Sequence, residues 1–243
     1  MGRFNHFESK KIYHFVENRY APPTTSPSQF PNLVFYLDAD AGLTFGTGTK
    51  ISRWDDTTTG SGNYGIQGVD GNRPSLIINA LNGHNVLRFV SASSQWMDLG
   101  INITSTYNTS FFIVGKLTSN GNFFTPLGNK SSTNYYILQP GDTNTYTRPS
   151  IPFVLFSTGY LSSYTTLIVT HPTSTTATLY KDGGMYATGT LNGTTTTGTL
   201  NSIGQVQSLF TNGDIACMGI YDRALTTPEA LLLSQSLKTK YAI

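Results

Sequence analysis

The chain has 243 residues, of which 12% are charged, about half the roughly 25% usual for soluble proteins; Gly, Thr, Ser, Asn and Tyr take their place. Four of the fifteen Lys and Arg and two of the thirteen Asp and Glu fall in the first twenty positions, so the rest balances at eleven against eleven. A neutral body has no basic face with which to displace counterions from phosphate, which excludes a nucleic-acid reader, and a single cysteine, Cys217, excludes an internal disulfide.

Residues 1 to about 20 read as a distinct arm. Phe4, Phe7, Ile12, Phe15 and Val16 approximate one helical face, although KIYHFV also fits a short strand. Aromatic side chains this dense on a short arm need a partner, either the chain's own domain or another subunit, with a membrane surface a third option weakened by the modest charge. MGRFNHFESKK lacks the apolar run of a secretory signal, and no stretch approaches the ~18 apolar residues of a membrane span. The expectation is synthesis in a cytoplasm and no membrane partner, with extracellular duty requiring assembly into a particle that leaves the cell. Ala21 to Pro31, APPTTSPSQFP, has the composition of an extended linker.

From Leu33 the pattern turns to short strands. LVFYL opens it, followed by KISRW, in which Trp54 marks the start of a long Gly/Thr/Ser/Asn loop. Asn82-Gly83 supplies two-residue hairpin chemistry, with Val86, Leu87 and Phe89 on the return strand. Further strands are predicted at Gln95 to Leu99, Ser110 to Leu117, Tyr135 to Gln139, Phe153 to Phe156, Thr165 to Thr170 and Ala177 to Lys181, the last ending at the hairpin pair Asp182-Gly183. Ile215 to Tyr221 is a further apolar strand. Beyond it Thr226 and Glu229 form a T-x-x-E capping box with Pro228 in the first turn, and Leu225, Leu231, Leu232 and Leu237 give the one helix its apolar stripe. Strands at this spacing without intervening helices argue for two packed antiparallel sheets, and 243 residues suit a single main domain.

Four stretches in this order, LVFYLDADAGLTF with KISRWDD, RPSLIINALNGHNVLRFV, ATLYKDGG, and GDIACMGIYDRALTTPEALLLSQSLKTKY, resemble the concanavalin A-like lectin/glucanase sandwich of laminin-G-like type. Modules of that type occur in bacterial surface proteins and phage structural proteins. The resemblance covers about residues 32 to 243 and implies a jelly roll with the terminal helix packed beside it. Where the family pattern has Glu after Asp-Ile-Ala, this chain has Cys217. The family also implies a calcium option at a loop rim, for which Asp38, Asp40, Asp142 and Asp214 are the conceivable ligands, against the competing reading of turn-capping aspartates.

The catalytic options are poor. Glycosidase relatives use a pair of glutamates, whereas this chain has only Glu8, Glu17 and Glu229, in the arm and in the helix cap. Asp55 and Asp56 stand at turn positions. No His or Cys spacing matches a transition-metal site, and no G-x-S-x-G elbow is present. Sugar binding is better served, since Tyr64, Trp96, Tyr135, Tyr136, Tyr146 and Tyr160 offer ring faces among Asn and Thr residues. The sequence thus reads as an all-β protein: an arm and linker over 1–31, and a two-sheet antiparallel jelly-roll sandwich with one C-terminal helix over 32–243. Its leading functional expectation is a non-enzymatic structural protein of a phage or virus particle. In that reading the arm anchors it to other structural proteins, and it is displayed at the virion surface as a decoration, head fibre or tail module, oligomeric in the assembly. The alternative is a carbohydrate-binding adhesion module that takes cell-surface glycan, with a glycoside hydrolase third; no cofactor is expected apart from the calcium option.

Overall fold

A computed structural model of the protein describes residues 25–58, 60–105, 108–117, 125–140, 145–148, 154–156, 163–173, 175–190 and 198–243, with backbone alone over 104–105, 117, 132–140, 145–148, 154–156 and 198. The first strands are β1 (Leu33–Asp38), β2 (Leu43–Phe45), β3 (Ile51–Asp55), β4 (Tyr64–Ile66), β5 (Ser75–Leu81), β6 (His84–Phe89) and β7 (Met97–Ser105). They are followed by β8 (Thr109–Leu117), β9 (Leu127–Asn129), β10 (Ser132–Pro140), β11 (Thr145–Arg148), β12 (Val154–Phe156) and β13 (Thr165–Thr173). The last are β14 (Thr176–Lys181), β15 (Gly184–Thr190), β16 (Gly198–Ile203), β17 (Gln205–Val206), β18 (Leu209–Phe210) and β19 (Gly213–Tyr221), before the helix α1 (Thr227–Tyr241).

Two antiparallel sheets face each other, as the strand spacing predicts. One runs β15-β14-β13-β8-β19-β6-β5, with β1 also paired to β19; the other has nine strands in the order β12-β11-β10-β9-β16-β7-β4-β3-β2. Between them lies a core that includes Phe35, Trp54, Phe89, Met97, Ile113 and Ile203. Trp54 therefore does not begin a loop. It is fully buried on β3, and its indole Nε1 donates to Asp38 O at 3.0 Å, so the one polar atom of a large apolar group is satisfied.

The eight-stranded sheet is apolar on both faces because α1 covers its outer side. On β8, Phe111 and Ile113 enter the inter-sheet core while Phe112 and Val114 pack beneath the helix with Tyr36, Tyr180 and Tyr221. A bulge between Ile215 and Cys217 sets Ala216 and Cys217 together on the helix side, and all nine residues of β19 are buried.

The helix is capped as predicted: Thr226 N donates to Glu229 Oε2 at 2.8 Å, and Arg223 clamps the same carboxylate through Nη1 and Nη2 at 2.8 and 2.7 Å. This guanidinium holds the Glu229 carboxyl well below its usual range, at about 2. The buried stripe differs from the expected one. Ala230, Leu233, Ser234, Leu237 and Tyr241 face the sheet, while Leu231 and Leu232 are only partly buried. The end of the predicted linker is also docked rather than free: Pro27 and Phe30 are buried, Tyr221 Oη donates to Pro27 O at 2.8 Å, and Phe30 meets the Tyr221 ring edge-on. The anchor residues Phe4, Phe7, Ile12, Phe15 and Val16 lie outside the described residues.

Candidate functional site: the open face of the nine-stranded sheet

Because α1 occupies the outside of one sheet, the other sheet supplies the broad strand surface that no described helix covers. Strand alternation decides which side chains reach it. Met97 and Leu99 point into the core, so Trp96, Asp98 and Gly100 are on the opposite side; Trp54 points inward, so Arg53 and Asp55 point out. Pairing then brings separate segments into register, with Arg53 opposite Ile66 and Ile66 opposite Asp98, and with Asp55 opposite Tyr64.

Two similar constellations result. In the first, the Lys130 ammonium, carried by the β9–β10 turn, donates to Asp98 Oδ2 at 2.6 Å and stands 5.8 Å from the centre of the Trp96 ring. In the second, Arg53 Nε donates to Asp55 Oδ1 at 2.6 Å while the guanidinium stacks 3.8 Å above the Tyr64 ring. Tyr64 leans over Gly100, where a Cβ would stand 2.8 Å from the ring, so glycine at that position is a requirement of the site. The four charged side chains are between 36% and 39% exposed, within reach of a ligand and yet held in place. Ile66, 42% exposed, lies between the two groups.

Of the six aromatic residues expected to face glycan, Tyr64 and Trp96 are on this face. Tyr135 and Tyr136 belong to β10 and Tyr146 to β11 of the same sheet; their side chains, and all of Tyr160, lie outside the described residues. The charged partners Arg53, Asp55, Asp98 and Lys130 were not anticipated. An R-x-D pair on one strand is a legible same-face signal, but nothing local links Lys130 to Asp98.

Among the described residues the calcium candidates Asp38, Asp40 and Asp214 do not converge on a cation site. Asp38 accepts from Tyr36 Oη at 2.8 Å and from Lys240 Nζ at 2.6 Å; Asp40 faces His84 Nδ1 at 2.6 Å and accepts from Asn85 N. Asp214 accepts Arg88 Nε and Nη2 at 2.7 and 2.8 Å and Tyr164 Oη at 2.8 Å. Each carboxylate thus already faces basic or donor groups, no set of three His, Cys, Asp or Glu side chains converges among the described residues, and Asp142 lies outside them. Asp40 N donates to Asp38 Oδ1 and Thr58 N to Asp56 Oδ1, which is the turn-capping role.

Cavities among the described residues lie elsewhere. A groove of about 520 Å³ runs between residues 25–28, β1 and the end of α1, but its charged groups, Asp38 and Lys240, are spent on each other. A smaller hollow of about 170 Å³ adjoins the Arg88–Asp214 pair. Cys217 is fully buried, with its thiol pushed up to about 12 by that burial, and is inert.

A family model described as the concanavalin A-like lectin/glucanases superfamily matches residues 101–230, more than half of the chain, and the chain belongs to that superfamily. Among solved structures, it is similar to the receptor-binding domain of botulinum neurotoxin mosaic serotype C/D, with a TM-score of 0.53 and 13% identity over 84% of this chain and 50% of that one. It is also similar to domain 4 of AbnA, a GH43 extracellular arabinanase from Geobacillus stearothermophilus, in complex with arabinotriose. There the TM-score is 0.52, with 18% identity over 84% of this chain and 98% of that one. The chain therefore spans about half the toxin domain and nearly all of the arabinanase domain. At such identities the likeness is one of fold. No curated protein matches the sequence.

Proposed function

We propose that the protein is a carbohydrate-binding domain that holds glycan on the open face of its nine-stranded sheet. The observation that carries this reading is the pair of aromatic–cation–carboxylate groups, Trp96 with Lys130 and Asp98, and Tyr64 with Arg53 and Asp55. Ring faces take the C–H side of a sugar, while carboxylate, ammonium and guanidinium groups take its hydroxyls. Support comes from the arabinanase domain, a binding partner of arabinotriose with the same fold along nearly its whole length.

Binding without catalysis belongs to the same proposal. Both carboxylates on the face are engaged by cations, and Glu229, the glutamate of the described chain, is on the far side in the helix cap. The particle-assembly reading rests on the arm and linker over 1–31, of which residues 1–24 lie outside the described part, and no observation on the sandwich favours it over glycan binding. The test is retention on a panel of plant and bacterial polysaccharides. Trp96→Ala and Tyr64→Ala should each weaken retention by about threefold to tenfold, the equivalent of one aromatic contact, and no reducing sugar should be released. Folded variants that are retained as well as the parent would overturn the assignment of this face.

A further inference from the structure

The open face has a period. Each of its two groups contains one aromatic ring, one cation and one carboxylate, with the cation bonded to the carboxylate and set against the ring. They are built from unrelated segments: β3 and β4 supply one, and the start of β7 with the β9–β10 turn supplies the other. Trp96 marks one group, and Gly100, beneath Tyr64, marks the other. Four residues of extended chain separate these markers, about 13 Å along β7, a distance that a single sugar ring cannot span. The interval is apolar on its floor, where Ile66 is exposed beside Asp98.

Charge narrows the ligand further. Within the two groups Arg53 stands against Asp55 and Lys130 against Asp98, so each group is neutral and its cation is already paired. A sialic or uronic carboxylate brought here would face Asp55 and Asp98 and compete for partners already taken, at a cost in desolvation. Hydroxyl groups suit the site better, because they donate to the carboxylates while accepting from the remaining N–H groups of Arg53 and Lys130.

Building on the glycan-binding reading above, we propose that the face binds an internal stretch of a linear, uncharged polysaccharide, a trisaccharide or longer, across two equivalent subsites lying along β7. Two alike subsites call for a ligand that repeats, and their spacing makes chain length the quantity they read. Joining two contacts on one ligand raises affinity by making the second intramolecular.

The experiment is calorimetric titration of the full chain with arabino-, xylo- and cello-oligosaccharides of increasing length, alongside 3′-sialyllactose and oligogalacturonate. In at least one neutral series, affinity should rise about tenfold from disaccharide to tetrasaccharide and then level off, as expected for one added aromatic contact. In Tyr64→Ala and in Trp96→Ala that ratio should fall toward one. Arg53→Gln, which keeps the Tyr64 ring, should reduce it in part and guards against a fold effect of removing the aromatic group. Affinity independent of length, or tighter binding of either acidic ligand, overturns the two-subsite proposal while leaving glycan binding standing. Absence of binding to every neutral and acidic ligand overturns both.

Discussion

His171 stands near the end of β13, 5% exposed, with an Nδ1 that has no hydrogen-bond partner among the described residues. Burial disfavours the charged imidazolium and lowers its pKa from 6.5 to about 4. Between those values the unfolded chain binds a proton that the folded chain refuses, so stability is complete above pH 6.5 and falls as pH drops through about 4. For a group this deeply buried the loss is about 3 kcal/mol. Urea unfolding of the parent and of His171→Gln across that window should show the difference between them shrinking as the pH falls; a constant difference would mean that the imidazole is not the titrating group. The sequence marks this histidine only as preceding Pro172, because burial depends on strands far away in the chain. Residues whose roles are local were easier to read: the aspartates at 38 and 56 cap turns through their own backbone neighbours, a habit intrinsic to the residue type.

At the scale of elements, turns and caps were legible and faces were not. Asn82-Gly83 and Asp182-Gly183 both take positive φ at the two turn positions, at 49° and 91° and at 47° and 87°, as the hairpin chemistry requires. The helix begins at its predicted cap. Its buried stripe was misjudged, because three consecutive leucines fit more than one helical face and the choice is made by the sheet, which accepts Leu233 between Ala230 and Leu237 and accepts Ser234 where Thr166 and the Gly183 N–H offer it partners. Leu233→Ala should therefore cost about 3 kcal/mol, and Leu231→Ala about 1 kcal/mol, measured by denaturant midpoint; the reverse order would restore the sequence-based stripe. Strand β7 was expected to end at Leu99 and continues to Ser105, since Gly100, a break in the sequence, is where the Tyr64 ring must pass.

For the whole molecule, two antiparallel sheets and one covering helix follow from composition and strand spacing, and family resemblance added the jelly-roll topology. The candidate site was half visible. Two of its rings could be nominated because aromatic side chains among polar loops are conspicuous, but the ion pairs that orient them join positions brought together only by sheet register, Lys130 with Asp98 across β16 being the clearest case. The sandwich is asymmetric: one sheet spends its outer face on α1, whereas no described helix packs on the outer face of the other, which is the face proposed above for glycan.

Strand β19, buried at every position, is paired with β8, β6 and β1, all of which leave the ribosome long before it does. Until it arrives, three strand edges that belong in the middle of a sheet have no neighbour, and each is a template for pairing with another chain. Folding on the ribosome must therefore wait for a strand that follows all three of its neighbours in the chain, and chaperone occupancy should persist until Tyr221 has cleared the exit tunnel. A chain stopped at Asn212 should show no cooperative unfolding transition and should self-associate. In arrested nascent chains, protease resistance should appear abruptly once β19 and α1 emerge, whereas a gradual gain over earlier lengths would show that the sandwich can assemble around a vacant centre.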